Sequence, residues 1–325
     1  MANGQWPLTI AVDALGGDDA PGVVVTGAVQ AARAGCRVTL VGPADAIGSL
    51  IAAAGASDLS SLSIADAPDG VAMDESPRAA LRRKPRASIT VACELAAAGQ
   101  AAGVYSAGHT GAALLAAHAA FGMVDGVERP ALAVLVPTRG GATVLLDAGA
   151  NADCRASHLG QFGVMGAVYA TVALGVTDPA VGLLSIGEEA GKGNELAKDA
   201  HAALSAMPIR FVGNIDAARW FHGDATVVVT DGFTGNIALK VGEAVVEMVS
   251  QQLSEANPGG LGGALSRWSY ATAGGAPLIG VNGLLVVGHG RSTADAIASG
   301  IALTARLAEG RVVAKVAEAI QRVLK

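Results

Sequence analysis

The chain has 325 residues and a formal net charge of −6 at pH 7, a balance that argues against nucleic acid as a main partner. Hydrophobic residues make up 51% of the sequence, yet the longest apolar stretches fall far short of the roughly 20 residues that span a bilayer. The N-terminus shows no signal-peptide pattern and the 3 cysteines form no CxxC pair, so we expect a cytoplasmic protein without disulfides.

Short β-rich apolar runs alternate with longer alanine-rich helical patterns along almost the whole chain. This alternation predicts an α/β fold with a mostly parallel sheet covered by helices on both faces. We expect a single α/β catalytic domain over residues 1–325, because no linker divides the chain. The predicted strands are Thr9–Leu15, Arg37–Val41, Leu62–Ala65, Gly103–Ser106, Ala131–Val136, Thr143–Asp147, Val181–Ile186, Ile209–Val212, Thr226–Asp231 and Leu284–Val287. The predicted helices are Val23–Ala34, Thr110–Phe121, Ser157–Leu174, Glu195–Ala206, Thr234–Leu253, Thr293–Ala308 and Val312–Leu324.

One glycine-rich segment, at about residues 257–275, interrupts this pattern and contains Trp268 and Tyr270. Its composition is typical of a loop between a helix and a strand. A second interpretation is a protruding tip that touches a partner or a membrane, because paired aromatic residues suit interfaces.

The most informative segment is Val227–Lys240, in which a predicted buried strand passes through two glycines into a helical pattern. Such a turn places backbone N–H groups and the positive end of a helix dipole together, which suits a phosphate or a developing oxyanion. Turns of similar composition follow other predicted strands, where ligands sit in parallel sheets. They are Asp13–Pro21, Ser106–Gly111, Asp147–Asp153, Gly187–Glu195 and the smaller Gly288–Ser292. Taken singly, each also fits an ordinary turn with a helix cap, such as Thr110 or Asn194.

Common catalytic signatures are missing from the sequence. There is no GxGxxG after the first strand, no Walker spacing around Lys192 and no GxSxG elbow. Phosphate chemistry that uses neither a nucleotide nor a covalent nucleophile is what remains.

One basic run stands out against the acidic background, and it fits either a solvated helix end or a surface for an anionic partner. Its members are Arg78, Arg82, Arg83, Lys84 and Arg86.

Nine motifs lie along the chain at and between these turns. In order they are AVDALGGDDAP, SPRAALRRK, SAGHTGA, RPALAVLVPT, LLDAGAN, IGEEAGKGNEL, FVGNIDA, TDGFTGNIALK and GGAPLIGVNG followed by HG. Together they closely resemble the bacterial phosphate acyltransferases of phospholipid synthesis, the PlsX family. The resemblance extends from about Ile10 to the last predicted helix, and the combination of LDxGAN, KGNEL and TDGFxGNxALK is highly specific.

The resemblance implies a reaction in which inorganic phosphate attacks the thioester of a long-chain acyl-[acyl carrier protein]. The products are acyl phosphate and free carrier protein. It also implies a doubly wound three-layer α/β/α sandwich, like that of isocitrate and isopropylmalate dehydrogenases, in a homodimer with no cofactor and no metal. Weak contact with the inner face of the cell membrane and a downstream membrane glycerol-3-phosphate acyltransferase are further implied partners. Since carrier proteins are acidic, the basic run becomes the expected carrier-binding surface.

The resemblance also guides the assignment of roles. The expected catalytic residues are Lys192, Asn194, Asp231, Asn236 and Lys240. We expect Lys192 and Asn194 to hold phosphate and the oxyanion, and Asp231 to orient one of the two lysines. Asn151 and Asn214 are expected to position the thioester. The full set of expected substrate- and phosphate-binding residues is Gly16, Gly17, Asp18, Ser106, His109, Thr110, Asn151, Glu188, Asn214, Gly232, Phe233, Thr234, Gly235 and His289.

The sequence departs from the family motifs at Asp19, where histidine is usual, and at His109, where asparagine is usual. The first change weakens any role of that position as a base or cationic phosphate ligand. The second makes activity pH-sensitive if His109 contacts substrate. The segment at 257–275 is also shorter and less basic than the amphipathic region of relatives.

Three alternative functions stay open. One is a short-chain phosphotransacetylase acting on acyl-coenzyme A, and another is a carrier-protein docking module with weak catalysis. A decarboxylating dehydrogenase of the same fold fits less well, because the isolated acids Asp147, Asp231 and Glu188 make no convincing metal cluster.

Overall fold

The computed structural model describes residues 8–256 and 274–324 of the 325-residue chain. The chain divides into two compact units, one formed by Met1–Met123 with Ala273–Val313 and the other by Val124–Thr272 with Ala314–Lys325. The expectation of one catalytic domain over residues 1–325 stays a prediction beside this division. The expected glycine-rich tip at 257–275 lies outside the described residues except for Gly274 and Gly275.

The first unit is built around a mostly parallel sheet. Its strands are β1 (Thr9–Asp13), β2 (Arg37–Gly42), β3 (Leu62–Asp66), β4 (Gly103–Ser106), β10 (Ala276–Ile279) and β11 (Leu285–Val287). Its helices are α1 (Gly22–Arg33), α2 (Ala44–Ala53), α3 (Pro77–Arg83), α4 (Ser88–Ala97), α5 (Thr110–Phe121) and α10 (Ala294–Glu309). The strands lie in the order β3-β2-β1-β4-β11-β10, and only the β10–β11 pair among these is antiparallel.

The strand order of this sheet indicates where a ligand would bind. β1 is buried from Ile10 to Asp13 and pairs in parallel with β2 and β4, its neighbours on either side. Chain order reverses between β1 and β4, which is the switch point where open α/β sheets bind ligands. The turns after β1, β4 and β11 therefore lie at one edge of the sheet, because these strands are parallel.

The strands of the second unit lie in the order β5-β6-β9-β7-β8. Its strands are β5 (Ala131–Thr138), β6 (Gly141–Leu146), β7 (Val181–Leu184), β8 (Phe211–Ile215) and β9 (Val227–Val229). Its helices are α6 (Ala156–Leu174), α7 (Glu195–Ser205), α8 (Ala217–His222) and α9 (Gly232–Ala256), and the last helix of the chain is α11 (Val312–Val323). β5 and β6 form an antiparallel hairpin, and the other pairs are parallel. The turns after β6, β7 and β9 consequently meet at one edge.

Helix α6 packs closely on its neighbours because glycines line one face. A Cβ on Gly163 would lie 2.5 Å from Leu204 of α7, and one on Gly166 would lie 2.6 Å from Val227 of β9. Larger residues at these positions would push α6 away from α7 and β9. These two glycines therefore allow α6 to pack closely against α7, the helix that follows the turn 187–194.

The α/β class and the mostly parallel pairing are confirmed within each unit. The pattern missed β10, which is short and contains Pro277, and it missed α2, α3, α4 and the six-residue α8. Helix α4 was hidden by its β-branched run Ile89–Val91, which favours strand over helix. Among residues 8–256 and 274–324, no helix combines the length and hydropathy needed to cross a membrane.

Candidate functional site

The best-defined cluster of candidate site residues lies at the carboxyl edge of the second unit's sheet. We call it the strand-end cluster, and it comprises the turns 147–151, 187–194 and 230–236, which follow the parallel strands β6, β7 and β9. Most of the residues that the sequence analysis named as catalytic stand in these three turns.

Asp147 organises the first of these turns. Its fully buried carboxylate accepts five hydrogen bonds: three to Oδ1, from the backbone N–H groups of Leu132, Gly149 and Ala150, each 3.0 Å. Two more reach Oδ2 from Asn151, at 2.8 Å from the backbone nitrogen and 2.9 Å from Nδ2. All of its strong acceptor sites are filled by the protein, so Asp147 shapes the turn and has little capacity left for a ligand.

Asn151, expected to position the thioester, is committed to the same turn. Its Nδ2 donates to the carbonyl of Pro130 at 2.7 Å and to Asp147 at 2.9 Å. Both amide hydrogens are thereby used, and only the side-chain oxygen of Asn151 is left to face a ligand.

Two glycines at the start of α9 bring the turns after β6 and β9 into contact. A Cβ on Gly232 would lie 2.5 Å from the carbonyl oxygen of Asn151 and 2.7 Å from Oδ2 of Asp147. A Cβ on Gly235 would collide with the backbone carbonyl of Asp147. Any other residue at either position would force the backbone apart, which explains the TDGFTGN spacing in physical terms.

Fewer backbone N–H groups in the same turn are available to bind an oxyanion than the sequence suggested. The N–H of Gly232 donates to Asn151 O at 2.8 Å, and those of Thr234 and Gly235 donate to Asp231 at 2.8 and 2.9 Å. Within residues 8–256 and 274–324, the N–H of Phe233 has no protein acceptor. That group is the backbone donor available at the positive end of the α9 dipole.

Asp231 has a different partner from the one expected. Its carboxylate binds Thr234 twice, through the backbone N–H and through Oγ1, each at 2.8 Å. In the described part of the chain, no ion pair joins Asp231 to Lys192 or Lys240. The residue caps α9, in the way that acidic residues commonly begin helices.

The turn 187–194 presents Lys192 to solvent. The Lys192 N–H donates to Glu189 O at 2.9 Å, and the Lys192 carbonyl accepts from Ser185 Oγ at 3.2 Å. Asn194 caps α7 by accepting the N–H of Ala197 at 2.9 Å, which leaves its Nδ2 hydrogens unused by that bond. No acidic group forms an ion pair with the Lys192 ammonium among the described residues, so a charged donor is available at this tip.

Glu188, expected to bind substrate, is paired instead with Arg219 at 2.6 Å. Arg219 also binds Asp224 at 2.7 Å, and these two acidic partners raise its pKa. The pKa of the Asp224 carboxyl is lowered, first by the hydrogen bond from Arg219 and then by that from His222. The sequence analysis missed Arg219, whose position on the short helix α8 gave no pattern.

Asn214 is too deeply buried to touch a substrate, with 2% of its surface exposed. Its Nδ2 donates to Glu189 O at 2.8 Å, and its Oδ1 lies 3.0 Å from Nδ1 of His201. Asn214 therefore supports the turn 187–194 from beneath. His201, which the sequence analysis also missed, sits on α7 at that contact.

The remaining two expected catalytic residues lie on α9. The side chain of Asn236 is half-buried and packs against Gly149, where a Cβ would meet its Cγ at 3.4 Å. The side chain of Lys240 is exposed one turn further along. Asn236 thus stands where the turns after β6 and β9 meet, while Lys240 stands farther along the helix.

A second cluster lies at the switch point of the first unit. The buried Asp13 carboxyl accepts hydrogen bonds from Ser88 Oγ at 2.5 Å and Ser106 Oγ at 2.7 Å. Burial raises the pKa of this carboxyl, and the two hydroxyl groups oppose that rise. Ser106, expected to bind substrate, is 1% exposed and is held inside this network. A Cβ on Gly16 would lie 2.8 Å from Gly108 N, so the turns after β1 and β4 touch through glycine.

His109, rather than Thr110, caps α5. The ring Nδ1 accepts the N–H of Gly111 at 3.1 Å, so the neutral ring carries its proton on Nε2. The cap expected at Thr110 was wrong because that residue is already the first of the helix. Nδ1 of His289 similarly accepts the N–H of Arg291 at 3.2 Å.

The expected residues Gly17 and Asp18 join the turn after β1 to that after β11. Gly17 has φ +126°, a conformation that favours glycine. The N–H of Asp18 donates to Gly290 O at 2.9 Å. These residues therefore fix the rim of the first unit's cluster by backbone geometry.

The basic run begins in α3 and is only partly free. Glu75 binds Arg83 at 3.0 Å and Lys84 at 2.6 Å, and Lys84 lowers the pKa of the Glu75 carboxyl. Arg86 lies 3.6 Å from Asp66. Arg78 and Arg82 are exposed and form no ion pair with any described residue. Of the five expected carrier-binding residues, these two are the available cations.

Metal binding has no visible support in the part of the chain that the structure covers. No group of three or more histidine, cysteine, aspartate or glutamate side chains is placed there to hold an ion.

Solved structures with a similar fold are known. A phosphotransacetylase from Streptococcus pyogenes matches with a TM-score of 0.66 and 19% identity, over 93% of this chain and 94% of that one. EutD phosphotransacetylase from Staphylococcus aureus matches with a TM-score of 0.64 and 16% identity, over 93% and 94% of the two chains. At these identities the likeness shows the fold alone.

Related sequences are much more similar to this chain than these solved structures are. The phosphate acyltransferase of Heliobacterium modesticaldum is 42% identical over 327 residues, which cover 96% of this chain and 98% of that protein. The phosphate acyltransferase of Desulforudis audaxviator is 44% identical over 327 residues, covering 96% of both. A protein-family model described as "Fatty acid synthesis protein" matches residues 8–315. The chain therefore belongs to the phosphate acyltransferase (PlsX) family of fatty acid synthesis proteins.

Proposed function

We propose that the protein transfers a long-chain acyl group from acyl carrier protein to inorganic phosphate and so supplies acyl phosphate for phospholipid synthesis. The observation that carries this proposal is the strand-end cluster, in which a lysine without an ion pair among the described residues, amide groups and the Phe233 N–H stand in turns at one edge of the sheet. Relatives named phosphate acyltransferase, 42% and 44% identical to this chain, support the reaction class.

In this proposal, Lys192 and the free amide hydrogens of Asn194 bind the phosphate. Lys192 carries a charge that no described acidic side chain neutralises, and charge-assisted hydrogen bonds are the strong ones. The phosphate is already ionised near pH 7, so its oxygen can act as the nucleophile without help from a serine or cysteine. The positioning of two reactants is then the main task, and it contributes roughly 7–11 kcal/mol in favourable cases.

A phosphate oxygen attacks the thioester carbonyl carbon, and the negative charge moves to the carbonyl oxygen. The N–H of Phe233 and the amide of Asn236 are the donors that we assign to this oxyanion. Collapse of the tetrahedral intermediate breaks the C–S bond, and the carrier thiolate then takes up a proton. Asp231 acts by fixing the helix start through Thr234.

The carrier protein is proposed to approach the exposed Arg78 and Arg82. Complementary charge of this kind speeds encounter and weakens with salt. Arg83, Lys84 and Arg86 contribute less, because each already has an acidic partner.

The protein is also proposed to be a homodimer. α9 exposes an apolar stripe along its length, from 48% to 62% exposed at each position, which is unusual for large apolar side chains at helical spacing. Its members are Phe233, Ile237, Val241, Val245 and Met248. A second copy of the chain would cover this stripe.

We further propose that the protein is a cytoplasmic enzyme with weak membrane contact, and that its downstream partner is a membrane glycerol-3-phosphate acyltransferase.

The second candidate is a phosphotransacetylase that acts on acyl-coenzyme A, since the solved structures of that fold include phosphotransacetylases. The two candidates differ in their acyl donor. Incubation of purified protein with palmitoyl-coenzyme A, acetyl-coenzyme A or palmitoyl-acyl carrier protein, each with and without phosphate, separates them by thiol release. Phosphate-dependent release from the carrier substrate alone supports the proposal, release from acetyl-coenzyme A alone supports the alternative, and carrier binding without release supports a docking role.

A further inference from the structure

A chain of hydrogen bonds runs from α7 to the backbone of Lys192. Nδ2 of Asn214 donates to the carbonyl of Glu189 at 2.8 Å, so the amide oxygen of Asn214 faces His201. Nδ1 of His201 lies 3.0 Å from that oxygen and must donate to it. The same Glu189 carbonyl accepts the N–H of Lys192 at 2.9 Å.

The backbone of β8 is shaped to place Asn214 in this chain. β7 pairs Val181 with Phe211 and Leu183 with Asn214, so β8 contains one residue more than β7 between the two pairs. The extra residue forms a β-bulge, and Gly213 within it has φ +90°, which favours glycine. Bulges beside functional sites commonly re-aim a side chain.

The ring of His201 is itself held in place. It meets Phe211 edge-on, with ring centroids 5.1 Å apart and planes at 72°. Asn214 is 2% exposed, so water cannot readily replace the histidine as donor to its amide oxygen. Loss of that donor would leave a buried acceptor unsatisfied and free the amide to rotate away from Glu189.

We propose that His201 is a positioning residue, which holds the turn 187–194 through Asn214 and thereby sets the place of Lys192. This inference rests on the proposed function, in which Lys192 binds phosphate. His201 touches neither substrate in this account. It acts by orienting one amide, whose other end fixes the carbonyl that closes the turn at Lys192.

Three substitutions separate the donor from the ring. His201→Phe keeps an aromatic ring against Phe211 but removes the donor. His201→Asn places an amide N–H near the position of Nδ1, whereas His201→Gln places it nearer Nε2. His118→Phe, at an exposed histidine on α5, is the matched control for the loss of a surface imidazole.

The first readout is amide hydrogen exchange of residues 185–194 in the absence of substrates. We expect the Lys192 amide to exchange about fivefold faster in His201→Phe and His201→Gln, the effect of losing one hydrogen bond, and at the wild-type rate in His201→Asn and His118→Phe. Equal exchange in all variants would overturn the proposal, as would equal rates in His201→Asn and His201→Gln. This readout needs no activity, so it stands even if the proposed reaction is wrong.

The second readout is the split between the two substrates. His201→Phe should raise the KM for phosphate about fivefold and leave the KM for the acyl substrate unchanged. A general loss of folded protein would instead lower kcat without changing either KM, and that result would contradict the proposal.

A double variant tests the route through Asn214. Asn214→Leu removes both hydrogen bonds at similar volume, so adding His201→Phe should raise the KM for phosphate no further. Additive effects of the two changes would show that His201 acts by another path.

Discussion

Single residues of the strand-end cluster divide into those that face solvent and those that build the turns. Lys192 has an exposed ammonium without an acidic partner among the described residues, whereas Asp147 and Asn151 have most of their hydrogen-bonding capacity filled by the protein. Substitution of the first kind should lower activity and spare folding, whereas substitution of the second kind should lower the stability of the fold.

Lys192→Ala should lower kcat/KM for phosphate roughly 10- to 100-fold, because a charge-assisted hydrogen bond to the substrate is lost. The melting temperature should stay that of the wild type, since the side chain is exposed. Lys198→Ala, at an exposed lysine on the nearby α7, is the matched control. Activity of Lys192→Ala equal to that of the control would contradict the assignment.

Gly235→Ala should destabilise the fold by about 2–3 kcal/mol, because the new Cβ meets the backbone carbonyl of Asp147. Gly191→Ala serves as control, since nothing lies within 4 Å of a Cβ there. Chemical unfolding measures both variants. Equal free energies of unfolding would mean that the two turns are not in contact as described.

The buried carboxyl of Asp13 gives a prediction about pH. Burial raises its pKa in the folded state above the unfolded value near 3.8, so folding favours the protonated form. Its contribution to stability is therefore full below about pH 3.8 and declines as pH rises through the folded pKa. Asp13→Asn should gain stability relative to wild type as pH increases from 4 to 7, measured by chemical unfolding. A difference that does not change with pH would refute this.

At the scale of elements, turns and helix faces decide which residues can meet a partner. The same α3 region holds five basic residues, but Glu75 and Asp66 occupy three of them. The exposed stripe of α9 has no such cover among the described residues. These two surfaces carry the predictions about partners.

Arg78→Glu with Arg82→Glu should raise the KM for acyl carrier protein about tenfold at low salt, and the difference should shrink at high salt. The KM for phosphate should not change. Arg37→Glu with Lys315→Glu, two exposed charge reversals outside α3, changes the net charge by the same amount and is the control. An equal rise in the control would show that overall charge, rather than this surface, attracts the carrier.

Val241→Glu with Val245→Glu should convert the proposed dimer to a monomer, because charges at its interface would lose water without gaining a partner. Light scattering after size-exclusion chromatography measures the mass. Glu247→Lys, on an exposed polar position of the same helix, should remain dimeric. A wild-type monomer would end the dimer proposal directly.

The sequence predicted most elements because their patterns of apolar residues are local. It missed elements such as β10 and α4, whose residue types are unfavourable for the structure that they adopt. Alternation of apolar strands and alanine-rich helices located ten of the eleven strands found in residues 8–256 and 274–324, while Pro277 concealed β10. The roles of His201 and Arg219 could not be read in the same way. Each depends on a partner distant along the chain, Asn214 and Glu188, that only the folded sheet brings near.

For the whole molecule, the side chains of the strand-end cluster fit the chemistry that family membership indicates. The relatives establish the family across 96% of the chain. The cluster supplies a cation, amide donors and closed turns at the sheet edge where such chemistry is expected. The identity of the acyl donor, which we propose to be acyl carrier protein, is the central claim to test.

The decisive measurement is thiol release from palmitoyl-acyl carrier protein by the purified protein, with and without inorganic phosphate, with hydroxylamine to trap the product. We predict phosphate-dependent release and a palmitoyl hydroxamate, the signature of an acyl phosphate. Release that is independent of phosphate, or no release from the carrier beside rapid turnover of acetyl-coenzyme A, would contradict the account.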